Sequence, residues 1–151
     1  MQQYFYSFWL KRNSVDPEKS WMEFKHEVSK VNKAYGTLIK KGYETDRGRV
    51  YLEYGEPNTI TESASDPSAY PYEIWQYYSL HNQKNRKFVF YQPDLVTNDY
   101  ELLHSDAIGE LSDPSWEMKL NKRNTPTYNI NQTKSYDYFG GKADDYYKNP
   151  H

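Results

Sequence analysis

The stretch YEIWQYYSL, residues 72 to 80, constrains the fold more than any other, because as a strand it offers no face to water. Alternation puts Tyr72, Ile74, Gln76 and Tyr78 on one side and Glu73, Trp75 and Tyr77 on the other. Aromatic rings stand on both. A sheet built on this strand therefore needs cover twice: helices over one face and a partner over the other, or the chain's own tail folded back. The next residues, HNQKN and then RKFVFYQ, read as a turn and a second strand, which makes the pair a hairpin.

The totals agree with a small aromatic core. A length of 151 residues suffices for one domain and not comfortably for two. Only 36% of residues are apolar, yet 18% are aromatic, with 17 Tyr and 4 Trp. Tyrosine buries its ring while its hydroxyl stays wet or bonded, so such a core leaves amphipathic surface suited to protein, peptide or glycan. The net charge is −2, from 19 basic and 21 acidic residues with no basic stripe, so nothing marks a nucleic-acid partner. No run approaches 18 apolar residues, so this segment is not expected to insert in a membrane. The absence of cysteine excludes disulfides, thiolate metal sites and cysteine nucleophiles. His26, His81, His104 and His151 lack ligand spacing, so no metal and no cofactor is expected. The opening MQQYFYSFWLKRN is not a signal peptide and reads as the interior of a longer chain.

The spacing of Phe5, Phe8 and Trp9 predicts a helix over residues 2 to 13. A second helix begins at Asp16 and Pro17, buries Trp21, Phe24, Val28, Val31 and Tyr35, and stops at Gly36. At GRVYLEYGEP the period changes. Val50, Leu52 and Tyr54 alternate with Arg49, Tyr51 and Glu53, which predicts a half-buried strand broken by Gly55 and Pro57. NTITE, the hairpin and YELLHS supply further strands, and LSDPSWEMKLNKR a helix capped by Ser112 or Asp113. Residues 124–151 hold one aliphatic side chain larger than alanine and cannot build a core alone. The fold predicted is α+β: two N-terminal helices on an antiparallel sheet of three to five strands, one C-terminal helix, and an extended Tyr-rich tail. The domain spans 1–123 and the polar aromatic arm 124–151. The arm either packs on the domain or docks on another chain. The Asn131-Gln132-Thr133 triplet matches a glycosylation acceptor, which chance alone often produces.

GYETDRGRVYLEYGEP, followed by YEIWQYY and FVFYQPD, resembles the GWxTD domain, a family known chiefly from Bacteroidota and related envelope-rich bacteria. The pattern falls on Gly42, Tyr43, Glu44, Thr45 and Asp46, with Tyr43 where the family has Trp. Arg47, Gly48 and Arg49 continue it, as do the Gly55 and Pro57 turn and the strand carrying Glu73 and Trp75. The resemblance covers roughly residues 3 to 120 and implies a secreted or lipoprotein-type envelope protein, periplasmic or outer-membrane-associated, whose upstream region carries any signal or anchor. The family's biochemical role is not established.

Two readings compete at the motif. Asp46 and Glu56 as acids, with Arg47 or Arg49 as an anion clamp, would make a hydrolase-like site. More simply, Thr45 or Asp46 bonds backbone amides, Gly48 supplies a positive φ, and the arginines pair with Glu53, Glu56 or Glu73; this reading is preferred. The expected function is then a non-catalytic protein-interaction module of an envelope or secretion assembly, with another envelope protein as partner. Its expected binding residues are Trp75, Tyr77, Tyr136, Tyr138 and Phe139. A glycan-binding module through Trp75 and its neighbouring tyrosines is the remaining alternative. Deleting the arm is expected to weaken association and leave the melting temperature nearly unchanged.

Overall fold

The computed structural model describes residues 7, 8, 10, 11, 15–121 and 140–151. Ser7, Phe8, Leu10 and Lys11 carry helical backbone; the rest of the first predicted helix lies outside the described residues, as do Asn131, Tyr136, Tyr138 and Phe139. Helix α1 runs Pro17–Tyr35, with the Asp16 carboxylate accepting the Lys19 N–H at 2.9 Å and proline in the first turn, as the sequence predicts. Only its C-terminal half seats deeply. Val31 is buried and Tyr35 half-buried, whereas Phe24 is 37% exposed.

The stretch predicted as a strand at residues 49–54 is helical. A 3₁₀ turn at Gly42–Glu44 leads into helix α2, Asp46–Tyr54. The Thr45 hydroxyl accepts the Gly48 N–H at 3.1 Å and donates to the Gly42 carbonyl at 2.7 Å, which fixes the helix start. Gly55, at φ +87°, ends it. The alternation of Val50, Leu52 and Tyr54 is coincidental: Val50, Tyr51 and Tyr54 also share one helical face, and that face packs on the sheet. Gly48 accordingly supplies no positive φ. Its role is close approach, since a Cβ there would stand 1.8 Å from the Gly42 carbonyl oxygen and 2.8 Å from Val31 Cγ1.

Strands β1 (Thr59–Ser63), β2 (Tyr72–Leu80), β3 (Gln83–Tyr91) and β4 (Glu101–Ser105) form one antiparallel sheet in sequence order. The β2–β3 hairpin pairs Ile74 with Val89 and Trp75 with Phe88. Two short helices follow among the described residues, α3 (Trp116–Leu120) and α4 (Ala143–Lys148). Neither Ser112 nor Asp113 caps α3: the N-cap position is Ser115, with no side-chain cap bond, and the Asp113 carboxylate instead accepts the Ser115 N–H and hydroxyl just ahead of the helix. The fold is α+β.

Both sheet faces are covered by this chain. On one, Trp75, Tyr77, Phe88 and Phe90 pack against Val50 of α2, with Tyr35 and Tyr54 at the margin. On the other, Tyr72, Ile74, Val89 and Leu103 pack under Trp116 and Leu120 of α3 and Ala143 of α4. A register shift between Val89 and Phe90 lets both Leu103 and His104 turn toward α3 and α4. The end of the arm is thus part of the core, with Ala143 1% exposed and Tyr146 and Tyr147 packed beside it. The near-unchanged melting temperature expected on deleting the arm does not follow. Removing residues 140–151 uncovers the part of the second face that lies under α4 and should cost about 3 kcal/mol, lowering the melting temperature by roughly 6–12 °C in a domain of this size; differential scanning calorimetry reads the shift.

Candidate functional site

The motif corner is built from the start of α2 outward. Thr45, 2% exposed, caps the helix, and the side chains that follow reach three different elements. Asp46 Oδ2 accepts the Leu102 N–H of edge strand β4 at 2.7 Å, satisfying a backbone donor on the outer edge of the sheet. Arg47 donates to Glu73 Oε1 on β2 at 2.6 Å, and the other oxygen of Glu73 accepts the Trp75 indole N–H at 2.9 Å. The guanidinium carbon stands 4.1 Å from the centroid of Tyr100 and 5.2 Å from that of Tyr35. The two charged side chains keep only 11% and 9% of their exposure. Burial pushes the Glu73 carboxyl above its usual range, against the pull of Arg47 and the bond from Trp75. Burial also pushes the Tyr35 phenol up to about 12.

Arg49 turns the other way. It grips Glu110 with two nitrogens, at 3.0 and 2.8 Å, and pairs with Glu53 one turn along the helix at 3.1 Å. The Tyr54 hydroxyl donates to the same Glu110 at 2.7 Å. These bonds, Arg49's first, pull the Glu110 carboxyl below its usual range. Glu110 lies in a loop with no local pattern, and the sequence reading missed it; the arginine pairing expected with Glu56 does not form.

Asp46, Arg47 and Glu56 do not converge. Asp46 opens α2 and Glu56 lies exposed beyond its Gly55 stop, about 12 Å or more along the axis. Arg47 is spent on Glu73 and the Asp46 carboxylate on a backbone amide. The three side chains that the hydrolase-like arrangement requires are therefore not gathered at one site. Two of the expected binding residues are buried: Trp75 is 0% and Tyr77 2% exposed, because helices cover that face, and the Tyr77 hydroxyl donates to the Gly55 carbonyl. A flat-lying sugar cannot reach them. Pro57 is buried beside this turn. Among the described residues, no group of three or more His, Asp or Glu is placed to hold a metal ion, and no helix is long and apolar enough to cross a membrane.

Among the exposed large apolar side chains, two adjacent pairs stand on two loops. Leu38 and Ile39, after α1, are 93% and 70% exposed; Leu95 and Val96, between β3 and β4, are 65% and 83% exposed. Each loop is internally bonded. The Thr37 hydroxyl accepts the Ile39 and Lys40 N–H groups, and Asp94 accepts the Val96 N–H. A salt bridge from Lys40 Nζ to the nearly buried Asp99, at 2.5 Å, ties one loop to the other. A separate apolar groove of about 490 Å³ runs between α1 and α2, lined by Phe24, Val28, Tyr43 and Leu52, with Arg49 and Glu53 at its rim.

Two substitutions check the corner. Gly48→Ala adds a residue of better helix propensity, worth about 1 kcal/mol, but sets its methyl against the Gly42 carbonyl and should cost a net ~3 kcal/mol in urea unfolding. Arg47→Met strands the Glu73 carboxylate and should cost about 3–5 kcal/mol. Adding Glu73→Gln should restore most of that loss, because an amide oxygen still accepts from Trp75; urea melts of the single and double variants measure the recovery.

No curated protein and no solved structure matches the chain. A family model does: the GWxTD domain, over residues 1–137, which takes in the Gly42–Asp46 signature, both covered faces of the sheet and the first part of the arm. The chain belongs to the GWxTD domain family.

Proposed function

We propose that the chain is a non-catalytic protein-interaction module of a bacterial cell-envelope protein, working in an envelope or secretion assembly. The observation that carries this reading is the pair of loops fastened by Lys40 and Asp99, which holds Leu38, Ile39, Leu95 and Val96 out to solvent. Four large aliphatic side chains at 65% exposure or more, on two loops braced together, are costly to leave in water and suit burial by a partner. The charges around them favour a protein over a lipid surface. Lys40 is neutralised by Asp99, and Asp94 and Glu101 add negative charge where an anionic membrane would call for positive. An apolar centre with a mixed polar rim is the usual anatomy of a protein interface. The motif side chains support a scaffold role, since Asp46, Arg47 and Arg49 each bond to other elements of the domain. The envelope setting rests on the family alone, and fractionation of cells expressing the full-length parent tests it.

Leu38→Asp with Val96→Asp changes two solvent-facing positions and should leave stability within about 1 kcal/mol. The same pair should weaken partner binding at least tenfold if these residues anchor the interface. Quantitative capture by the tagged full-length parent from its native envelope, wild type against variant, measures it; equal capture of every bound protein would reject the two-loop surface.

A further inference from the structure

The contact between sheet and arm turns on one histidine. His104 on β4 is 9% exposed and stacks on Trp116 of α3, the rings 10° from parallel with centroids 5.9 Å apart. Its Nδ1 accepts the Asp113 N–H at 3.0 Å. A backbone N–H only donates, so this ring is neutral with its proton on Nε2. Nε2 faces the Tyr147 hydroxyl of α4 at 3.3 Å and donates to it. Tyr147 packs on Trp116 at 5.1 Å between centroids, and its far side meets a cation: Lys87 of β3 donates to the Tyr147 carbonyl and lies 4.9 Å from the ring centroid.

We propose that His104 is a proton-operated latch, and that protonating it releases α4 from the sheet. An imidazolium cannot accept the Asp113 N–H, so that bond becomes a clash of two donors. The new charge also shares Tyr147 with the Lys87 ammonium. The other charged groups around the contact do not cancel this. On β3, Arg86 adds positive charge near Tyr147. Past β4, Asp106 already accepts the Lys87 N–H at 2.6 Å. Ahead of α3, Asp113 is held by Ser115 and Lys119. On α3, Glu117 is buried and has a partner of its own. On α4, Lys148 pairs with Asp144, and Asp145 stays on the exposed side.

Burial holds the His104 pKa below its ordinary 6.5, with Asp106 and Asp113 pulling weakly the other way. The sign follows. Unfolded or released, the ring takes a proton more readily than when docked, so the latch is at full strength above about pH 6.5 and weakens as pH falls through the docked value. The latch is local: α4 is six residues long and held by Ala143, Tyr146 and Tyr147, whereas β2 and β3 are the centre of the sheet.

Hydrogen exchange on the full chain, corrected for intrinsic rates, tests it at pH 7.5 and pH 5. Protection of the α4 amides should fall at least about fivefold while Ile74 and Val89 keep theirs. His104→Gln retains an acceptor for Asp113 and cannot charge, so its α4 protection should be the same at both pH values. His151→Gln removes the histidine that rides on the same segment against Tyr146 and should leave the transition in place. Should His104→Gln fail to fold, NMR titration of the wild-type ring decides: the His104 midpoint must coincide with that of α4 release. Protection unchanged with pH, joint loss with the central strands, or a transition that follows His151 would each overturn the latch.

Discussion

A guanidinium moved out of water needs compensation, and Arg47 draws it from a carboxylate at 2.6 Å and two tyrosine rings, although its Nε is buried without a hydrogen-bond partner. Desolvating such a pair costs several kcal/mol per ion, so its net contribution to stability is small. Its contribution to arrangement is large. Helix side chains rotate by about 100° per residue, so a slip of one position in α2 would carry Arg47 away from Glu73 and leave both charges dry. The same slip would lift Asp46 off the β4 amide and Arg49 off Glu110. Thr45 sets where the helix begins, and the two glycines, 42 and 48, let it lie close enough to α1 for these reaches to be made. The motif is a device for registration: three charged side chains, Asp46, Arg47 and Arg49, leave α2 at different helical angles and reach β4, β2 and the Glu110 loop.

That registration explains how a chain poor in aliphatics still closes a core. Aromatic rings fill space in fewer pieces than leucines do, and their hydroxyls need partners. Tyr54 finds Glu110 and Tyr77 finds the Gly55 carbonyl. A sheet with rings on both faces would aggregate if either were left open. Covering the second face falls to α3 and α4, two short helices that could not persist alone. Their stability is borrowed from Trp116, Leu120 and Tyr147 lying on Ile74 and Val89.

How far this was legible follows from which signals are local. The hairpin, β1, β4 and the Asp16–Pro17 start of α1 come from alternation, turn residues and a cap, all contained within ten residues. Helix α2 is ambiguous in the sequence because Val50, Leu52 and Tyr54 satisfy the strand period while Val50, Tyr51 and Tyr54 satisfy the helical one. Its true markers were present: a Thr-Asp start, glycine after the last turn, and Arg49 four residues before Glu53. Helix α4 carried no such mark. KADDYYK is polar, and only a distant sheet face makes Ala143 and Tyr147 apolar anchors. Glu110 and Asp99 were invisible for the same reason, since their partners lie 61 and 59 residues away. The burial of Trp75 was not legible either, because a strand with rings on both faces cannot say which face its own helices will take.

The economy of the interior also bears on the surface. A loop that meets a partner loses conformational freedom, about 1–2 kcal/mol for each residue that must be fixed. Loops already held before contact avoid part of that loss. Residues 37–40 and 94–99 are held in this way, by Thr37, by Asp94 and by the bridge from Lys40 to Asp99. Asp99 is 7% exposed, so the bridge is anchored at a buried position of the second loop. Lys40 keeps 43% of its side-chain exposure, so salt would weaken the bridge at its outer end while the carboxylate stays in place. A partner that covered Leu38, Ile39, Leu95 and Val96 would also exclude water from that bridge, strengthening the link that presents them. Under the proposed function, partner binding and loop order would be coupled through a single ion pair.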